Sequence, residues 1–246
     1  MQWLTMRSRW FRLWGRQSVV KLVSVITRLE GKISSIARQK KDKSRASIFL
    51  DEDFAFGVCD QTIEQFRLRK GDYIDRELFE KITDFDYFIE AKRIAIAYLN
   101  FRARSEKEIS ERLQKEDIPE AIISRVIEFL KEQKMIDDEA WSKAFVNDKL
   151  VRKPVSSKQL AFGLKQKGVP KEVIEETISN LNAEESDEAR AMQAAEKRWP
   201  RILRSSSDPK KQKQKLYTFL AGRGFSFEII DEVYKKIGKD ARDEED

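Results

Sequence analysis

The chain is 246 residues long, 37% of them charged, with 9 Gly, 5 Pro, one cysteine (Cys59), no histidine and a net charge of +6. Few glycines and prolines among so many charges point to a soluble, helix-rich protein with room for several small cores. The absent histidines and lone cysteine exclude Ser-His and Cys-His catalysis, histidine zinc sites and an internal disulfide framework, and suit a reducing cytoplasm.

No glycine-rich phosphate loop is present either, so the chain reads as a non-enzyme that needs no cofactor. The basicity is local. Residues 1–46 hold 12 Lys/Arg against Glu30 and Asp42, a local +10, and leave 37 basic and 41 acidic residues for the rest. Any nucleic-acid surface on the body must therefore come from patches and not from bulk charge.

Residues 1–44 read as a basic, Trp-rich extension (Trp3, Trp10, Trp14). Leu22, Val25, Ile26, Leu29, Ile33 and Ile36 recur at helical spacing and predict an amphipathic helix. No apolar run is long enough to span a bilayer. Three readings stay open: an interfacial helix for anionic membrane, a basic arm for DNA, or translation assigned too far upstream. Lys40 to Arg45 reads as a flexible linker.

Residues 45–84 form a leader. Ile48, Leu50, Phe54 and Phe56 flank Asp51-Glu52-Asp53, a hairpin signal with acidic turn residues. Ile63, Phe66 and Leu68 predict a helix that stops at Gly71, and Ile74 to Ile82 predicts a second short one.

From residue 85 a template recurs. Leu113 to Asp117-Ile118-Pro119, with Ile122, Ile123, Val126 and Ile127, returns 51 residues on as Leu164 to Gly168-Val169-Pro170 with Val173, Ile174, Thr177 and Ile178. It returns 56 residues further as Leu220 to Gly224-Phe225-Ser226 with Ile229, Ile230, Val233 and Tyr234. A fixed apolar pattern under a freely varied polar surface marks tandem copies of one unit, here three helices each, stacked into an elongated curved solenoid. The repeats span 85–136, 137–183 and 184–238, followed by an acidic tail over 239–246.

Ser105 to Glu108 and Ser156 to Gln159 read as capping boxes, and Asp208-Pro209 as an N-cap acid with proline at the first helical position. Gly168, Gly224 and Asp117 fit left-handed turns. Phe225 should plug the corner that Ile118 and Val169 plug in their repeats. Asp137-Asp138 reads as a turn with Asp138 capping the next helix, not as a metal pair, and Trp141, Ala144 and Phe145 as core-facing. Trp199 before Pro200 should close its helix.

Cations gather at corresponding edges: Arg102 and Arg104 in repeat 1; Arg152, Lys153, Lys158, Lys165 and Lys167 in repeat 2; Lys210, Lys211, Lys213, Lys215 and Arg223 in repeat 3. Such an edge would track a phosphate backbone or an acidic groove.

Three stretches resemble the RecX family of RecA regulators: Ala97 to Glu106, Met135 to Val146 (MIDDEAWSKAFV) and Leu216 to Ile230. The likeness covers residues 46–237 in order and leaves 1–44 outside. It implies a leader hairpin followed by three three-helix units. It also implies a monomeric cytoplasmic regulator that binds RecA and the RecA–single-stranded-DNA filament and mainly inhibits recombinase and ATPase activity, with no cofactor. The other reading of the cationic edge is a RecA-independent nucleic-acid-binding module.

Overall fold

The computed structural model describes residues 30–40 and 42–243, which fall into two compact units. The first holds the described residues up to 103 together with 109–135; the second holds 104–108 and everything from 136 onward.

The first unit opens with an antiparallel sheet of β1 (Gly31–Arg38), β2 (Arg45–Leu50), β3 (Asp53–Cys59) and β4 (Tyr73–Ile74), in the order β3-β2-β1-β4. Along β2 the buried residues Ala46, Ile48 and Leu50 alternate with partly open ones, the period of a strand covered on one face. The expected hairpin is present. Its turn residues Asp51 and Glu52 both have positive φ (47° and 77°), which matches the twist of a two-residue hairpin. Aspartate tolerates that region, whereas glutamate does so at a cost. β1 offsets it: the Asp51 N–H donates to the Lys32 carbonyl (3.0 Å) and the Glu52 N–H to Ser34 Oγ (2.9 Å).

β1 corrects the helix expected through Ile33 and Ile36. Leu22, Val25, Ile26 and Leu29, like the three N-terminal tryptophans, lie outside the described residues, but Ile33 and Ile36 belong to this strand. Their helix-like spacing has a strand explanation. A bulge between Ile33 and Ser35 adds one residue, so Ile33 faces Leu50 and Ile36 faces Ile48, both on the core side. Nor is the segment after it a free linker: the Gln39 N–H donates to the Arg45 carbonyl (2.9 Å), closing the chain between two paired strands.

α1 (Asp60–Phe66) ends at Arg67, which takes a left-handed conformation (φ 50°). Gly71 is therefore not the helix stop. It sits in the next turn, where its N–H meets the Ile33 carbonyl at 2.8 Å. α2 (Arg76–Leu99) begins at Asp75, whose carboxylate accepts the Leu78 N–H at 2.7 Å, and runs unbroken. The two helices expected on either side of residue 84 are one, because no glycine or proline interrupts the stretch. Its inner face carries Phe79, Ile82, Ala91 and Ala95, while Ile89, Ile96 and Leu99 are half-buried. Phe79 and Ile82 complete the leader core with Ile33, Ile48, Leu50, Phe56, Val58, Leu68 and Ile74.

One carboxylate ties this unit together. Asp86 is 9% exposed and accepts from Arg45 Nη2 (2.8 Å), the Cys59 N–H (2.7 Å) and Thr62 Oγ1 (2.9 Å). It joins β2, the end of β3, α1 and α2.

Repeat 1 continues with α3 (Glu106–Gln114) and α4 (Glu120–Glu132), which bury Ile109, Leu113, Ile122, Ile123, Val126, Ile127 and Leu130. The second unit holds repeat 2, α5 (Asp138–Arg152), α6 (Ser157–Gln166) and α7 (Lys171–Glu184), and repeat 3, α8 (Asp187–Ser205), α9 (Pro209–Ala221) and α10 (Phe227–Asp243). Ile118, Val169 and Phe225 are buried at matching corners. With ten helices and four strands among the described residues, the protein is a three-helix repeat fold behind a short strand leader, as the sequence predicts.

Three details differ. Asp137, not Asp138, caps α5, accepting the N–H groups of Glu139 (2.9 Å) and Ala140 (3.0 Å). Ala144 faces solvent; Val146 is buried in its stead. Pro200 does not end its helix: α8 passes through it to Ser205. Buried Trp199 and Ile202 on either side anchor the helix to the repeat 3 core, and that packing outweighs the lost backbone hydrogen bond.

Candidate functional site

Within the second unit, successive repeats are joined by a contact made twice. The turn after α6 rests on the start of α3: Ser105 Oγ donates to the Lys167 carbonyl (2.8 Å) and Lys107 Nζ to the Gln166 carbonyl (3.2 Å). One repeat on, the Ser156 N–H donates to the Arg223 carbonyl in the turn after α9 (3.0 Å). The two glycines of these turns are required twice over. Both lie at positive φ (77° and 82°). A Cβ at Gly168 would fall 2.5 Å from Lys107 Cδ, and one at Gly224 would fall 2.5 Å from Ser156 Oγ. Asp117, at φ 56°, stands in repeat 1, which has no earlier three-helix repeat for its turn to rest on.

The predicted caps serve these joints. Ser105 Oγ accepts the Glu108 N–H and Glu108 reaches back to the Ser105 N–H, each at 3.4 Å; Ser156 Oγ accepts the Gln159 N–H at 3.2 Å. A second pair of links comes from the following repeat. Asp138 accepts the Glu106 N–H (3.2 Å), and Asp187 accepts the Ser157 N–H (2.8 Å). Arg190, 1% exposed, binds Asp187, Ser157 Oγ (2.8 Å), Asn182 Oδ1 (2.9 Å) and the Glu185 carbonyl.

Seen against these joints, the predicted cations divide. Lys167 pairs with Glu108 at 2.7 Å, Lys213 with Asp231 at 3.1 Å and Arg152 with Asp148 at 3.1 Å. Lys215 donates to the carbonyl and hydroxyl of Ser205 (3.2 and 2.9 Å), and Arg223 lies over Phe219, 3.8 Å from its centre. Of these five, Lys167 links two repeats and the other four are engaged within their own. Arg102 is exposed and Arg104 half-buried, each with an interaction of its own. Lys153, Lys158, Lys165 and Lys211 are exposed, and like Lys210 they make no ion pair among the described residues.

Lys158 and Lys165 stand seven residues apart, on one face of α6. Between them, four residues after Lys158, is Phe162, 59% exposed. A large ring left in water between two unpaired lysines is the open part of the cationic surface. Sequence reasoning passed over Phe162 because its position fits neither the repeat's core template nor a charge pattern.

Charge placement also shows in titration. Burial, then the charge of Arg198, push the Arg223 guanidinium below its ordinary value. Tyr217 is pushed up to about 12 by burial and by its hydrogen bond to Asp231; the same bond, with Lys213, holds Asp231 low. No helix among the described residues is long and apolar enough to cross a membrane.

A sheet leader followed by tandem three-helix domains defines a class of helical repeat protein, and comparison with known families says which one. Residues 31–75 match the regulatory protein RecX N-terminal domain, 91–130 the first RecX three-helix domain, 137–178 the second and 185–234 the third. The chain belongs to the RecX family of regulatory proteins. The first match includes β1, so the family likeness begins before residue 46.

It is 33% identical over 205 residues to the regulatory protein RecX of Clostridium botulinum (strain Alaska E43 / Type E3), covering 83% of this chain and 95% of that one. To the regulatory protein RecX of Staphylococcus saprophyticus it is 34% identical over 207 residues, covering 84% and 74%. A crystal structure of regulatory protein RecX is similar at a TM-score of 0.63 and 28% identity, covering 83% of this chain and 98% of that one.

Proposed function

We propose that this chain binds RecA and the RecA–single-stranded-DNA filament and restrains recombinase activity and ATP turnover, acting as a cytoplasmic monomer without catalysis of its own or a cofactor. Membership of the RecX family supports the partner. The observation that carries the mode of action is the open face of α6, where Lys158, Phe162 and Lys165 lie in water with no ion pair among the described residues. Such a face fits an acidic groove or a strand backbone, with the ring filling apolar surface between the ionic contacts. Occupying the filament there would obstruct subunit addition, or the motions coupled to ATP turnover, beyond the subunit touched.

The test is RecA's DNA-dependent ATP hydrolysis and strand exchange, measured with and without this protein. Substoichiometric protein should suppress both. Unchanged RecA activity at equimolar protein would overturn the assignment.

A further inference from the structure

Two arginines of repeat 3 close on one ring. Arg198, on α8, lies 5.3 Å from the centre of Phe219, on α9, and Arg223, in the turn that follows, lies 3.8 Å from the same centre. All three side chains are half-buried. Elsewhere in this unit, buried Arg190 is neutralised by Asp187 and half-buried Lys167 by Glu108. Arg198 and Arg223 make no ion pair among the described residues. Arg223 Nε is closed off from water and makes no hydrogen bond. Burial, and then the charge of Arg198, lower Arg223's hold on its proton.

Bringing two like charges together out of water is unfavourable unless an anion offsets it. The described part of the chain places no carboxylate there, so the anion comes from outside. Lying over Phe219 holds Arg223 in place and pre-orients its N–H fork, and such a fork matches two oxygens of a phosphate. We infer that Arg198, Phe219 and Arg223 form a clamp for a phosphodiester of single-stranded nucleic acid.

A strand fits better than an acidic peptide because α9, which carries Phe219, also carries a flat surface for bases where it meets α10. Phe227, at the start of α10, is 68% exposed and stacked on Tyr217 of α9 (6.2 Å, 24°). Bases gain from stacking on rings and guanidinium planes, whereas a run of carboxylates would use only the charges. The inference goes beyond the regulatory reading, since it has the chain bind nucleic acid with no RecA present.

The experiment uses the full chain and a fluorescein-labelled oligothymidylate of about 20 nucleotides, roughly the span of one or two single-strand-binding modules. Binding is followed by anisotropy across a salt series, without RecA. Arg198→Gln should weaken binding about tenfold at low salt and flatten the log–log salt dependence by about 0.7, one phosphate contact. Arg223→Lys should also weaken it, although the charge is kept, because the flat fork is lost.

Circular dichroism confirms the fold of each variant; should Arg223→Lys not fold, Arg198→Gln decides alone. The clamp is overturned if the parent does not bind the oligonucleotide, or if folded Arg198→Gln matches the parent in affinity and slope. It is also overturned if a glutamate peptide of equal charge binds as tightly with the same dependence on Arg198, which would make the ligand an acidic protein segment. With RecA absent, failure here leaves the filament reading untouched, and a failed ATPase assay leaves the clamp untouched.

Discussion

At the scale of single residues, the groups that matter most are polar ones placed where a core would otherwise be apolar. Asp86 takes three hydrogen bonds from three different elements, one of them from Arg45, itself largely enclosed with 18% of its side chain exposed. Replacing the pair by apolar residues could be tolerated, but removing one partner strands the other. Asp86→Ala should therefore destabilise the leader by about 3 kcal/mol, stranding the Cys59 N–H and leaving the Arg45 guanidinium only the Gly57 carbonyl (3.1 Å) and the more distant Glu90 (3.8 Å). Asp86→Asn, which keeps the shape and two acceptor lone pairs, should lose less. Thermal unfolding with hydrogen exchange would locate the loss. An Asp86→Ala protein as stable as the parent, or one weakened only in repeat 3, would show that this network does not hold the leader. Arg190 has the same role at the joint between repeats 2 and 3, where Trp141 occupies the matching position, three residues after Asp138, in repeat 2. The repeat thus keeps the geometry of the joint while changing the chemistry that fills it.

At the scale of elements, the legible features were those set by local chemistry. Ser105, Ser156 and Asp208 cap the helices predicted for them, Gly168, Gly224 and Asp117 take left-handed turns, and Phe225 fills its corner. Each is decided within a few residues of itself. What the sequence concealed depends on distant partners. β1 reads as a helix because its bulge imitates helical spacing, and only pairing with β2 reveals it. Pro200 reads as a stop, and only the buried residues on either side carry α8 past it. Asp86 and Arg198 look like any other surface charges until the elements around them assemble. The position of β1 reverses an expectation. On sequence, residues 1–44 fall outside the stretch that resembles the family, yet removing them takes away a strand that pairs with β2 on one side and β4 on the other. Such a truncation should expose Ile48, Leu50 and Ile74, with amide protection lost across residues 45–82 and retained in repeats 2 and 3. Parent-like protection in the leader of the truncated chain would mean that β1 contributes little to the sheet.

At the scale of the whole molecule, the proposed function rests on charges the fold leaves unpaired. The net +6 is a poor guide, because many cations are bound to carboxylates or carbonyls within the repeats. Lys153, Lys158, Lys165 and Lys211 are exposed with no ion pair among the described residues, and reversing all four to glutamate moves the net charge from +6 to −2. The helices should survive this. Lys158 and Lys211 lie in the first turns of α6 and α9, where an acid is favoured by the helix dipole; Lys165, in the last turn of α6, should lose about 0.5 kcal/mol. If the regulatory reading is right, the reversed protein should need at least about ten times more material for half-inhibition of RecA's DNA-dependent ATPase, the equivalent of about 1.4 kcal/mol lost from binding. Added salt should weaken the parent in the same direction, since exposed ionic contacts are screened, and should affect the reversed protein much less. Lys→Gln at the same positions should fall between the two, which separates loss of attraction from added repulsion. A reversed protein that keeps its helical signal and inhibits at the parent's concentration would show that the open lysines do not engage the filament, and the contact would then have to be sought on the apolar faces of the repeats.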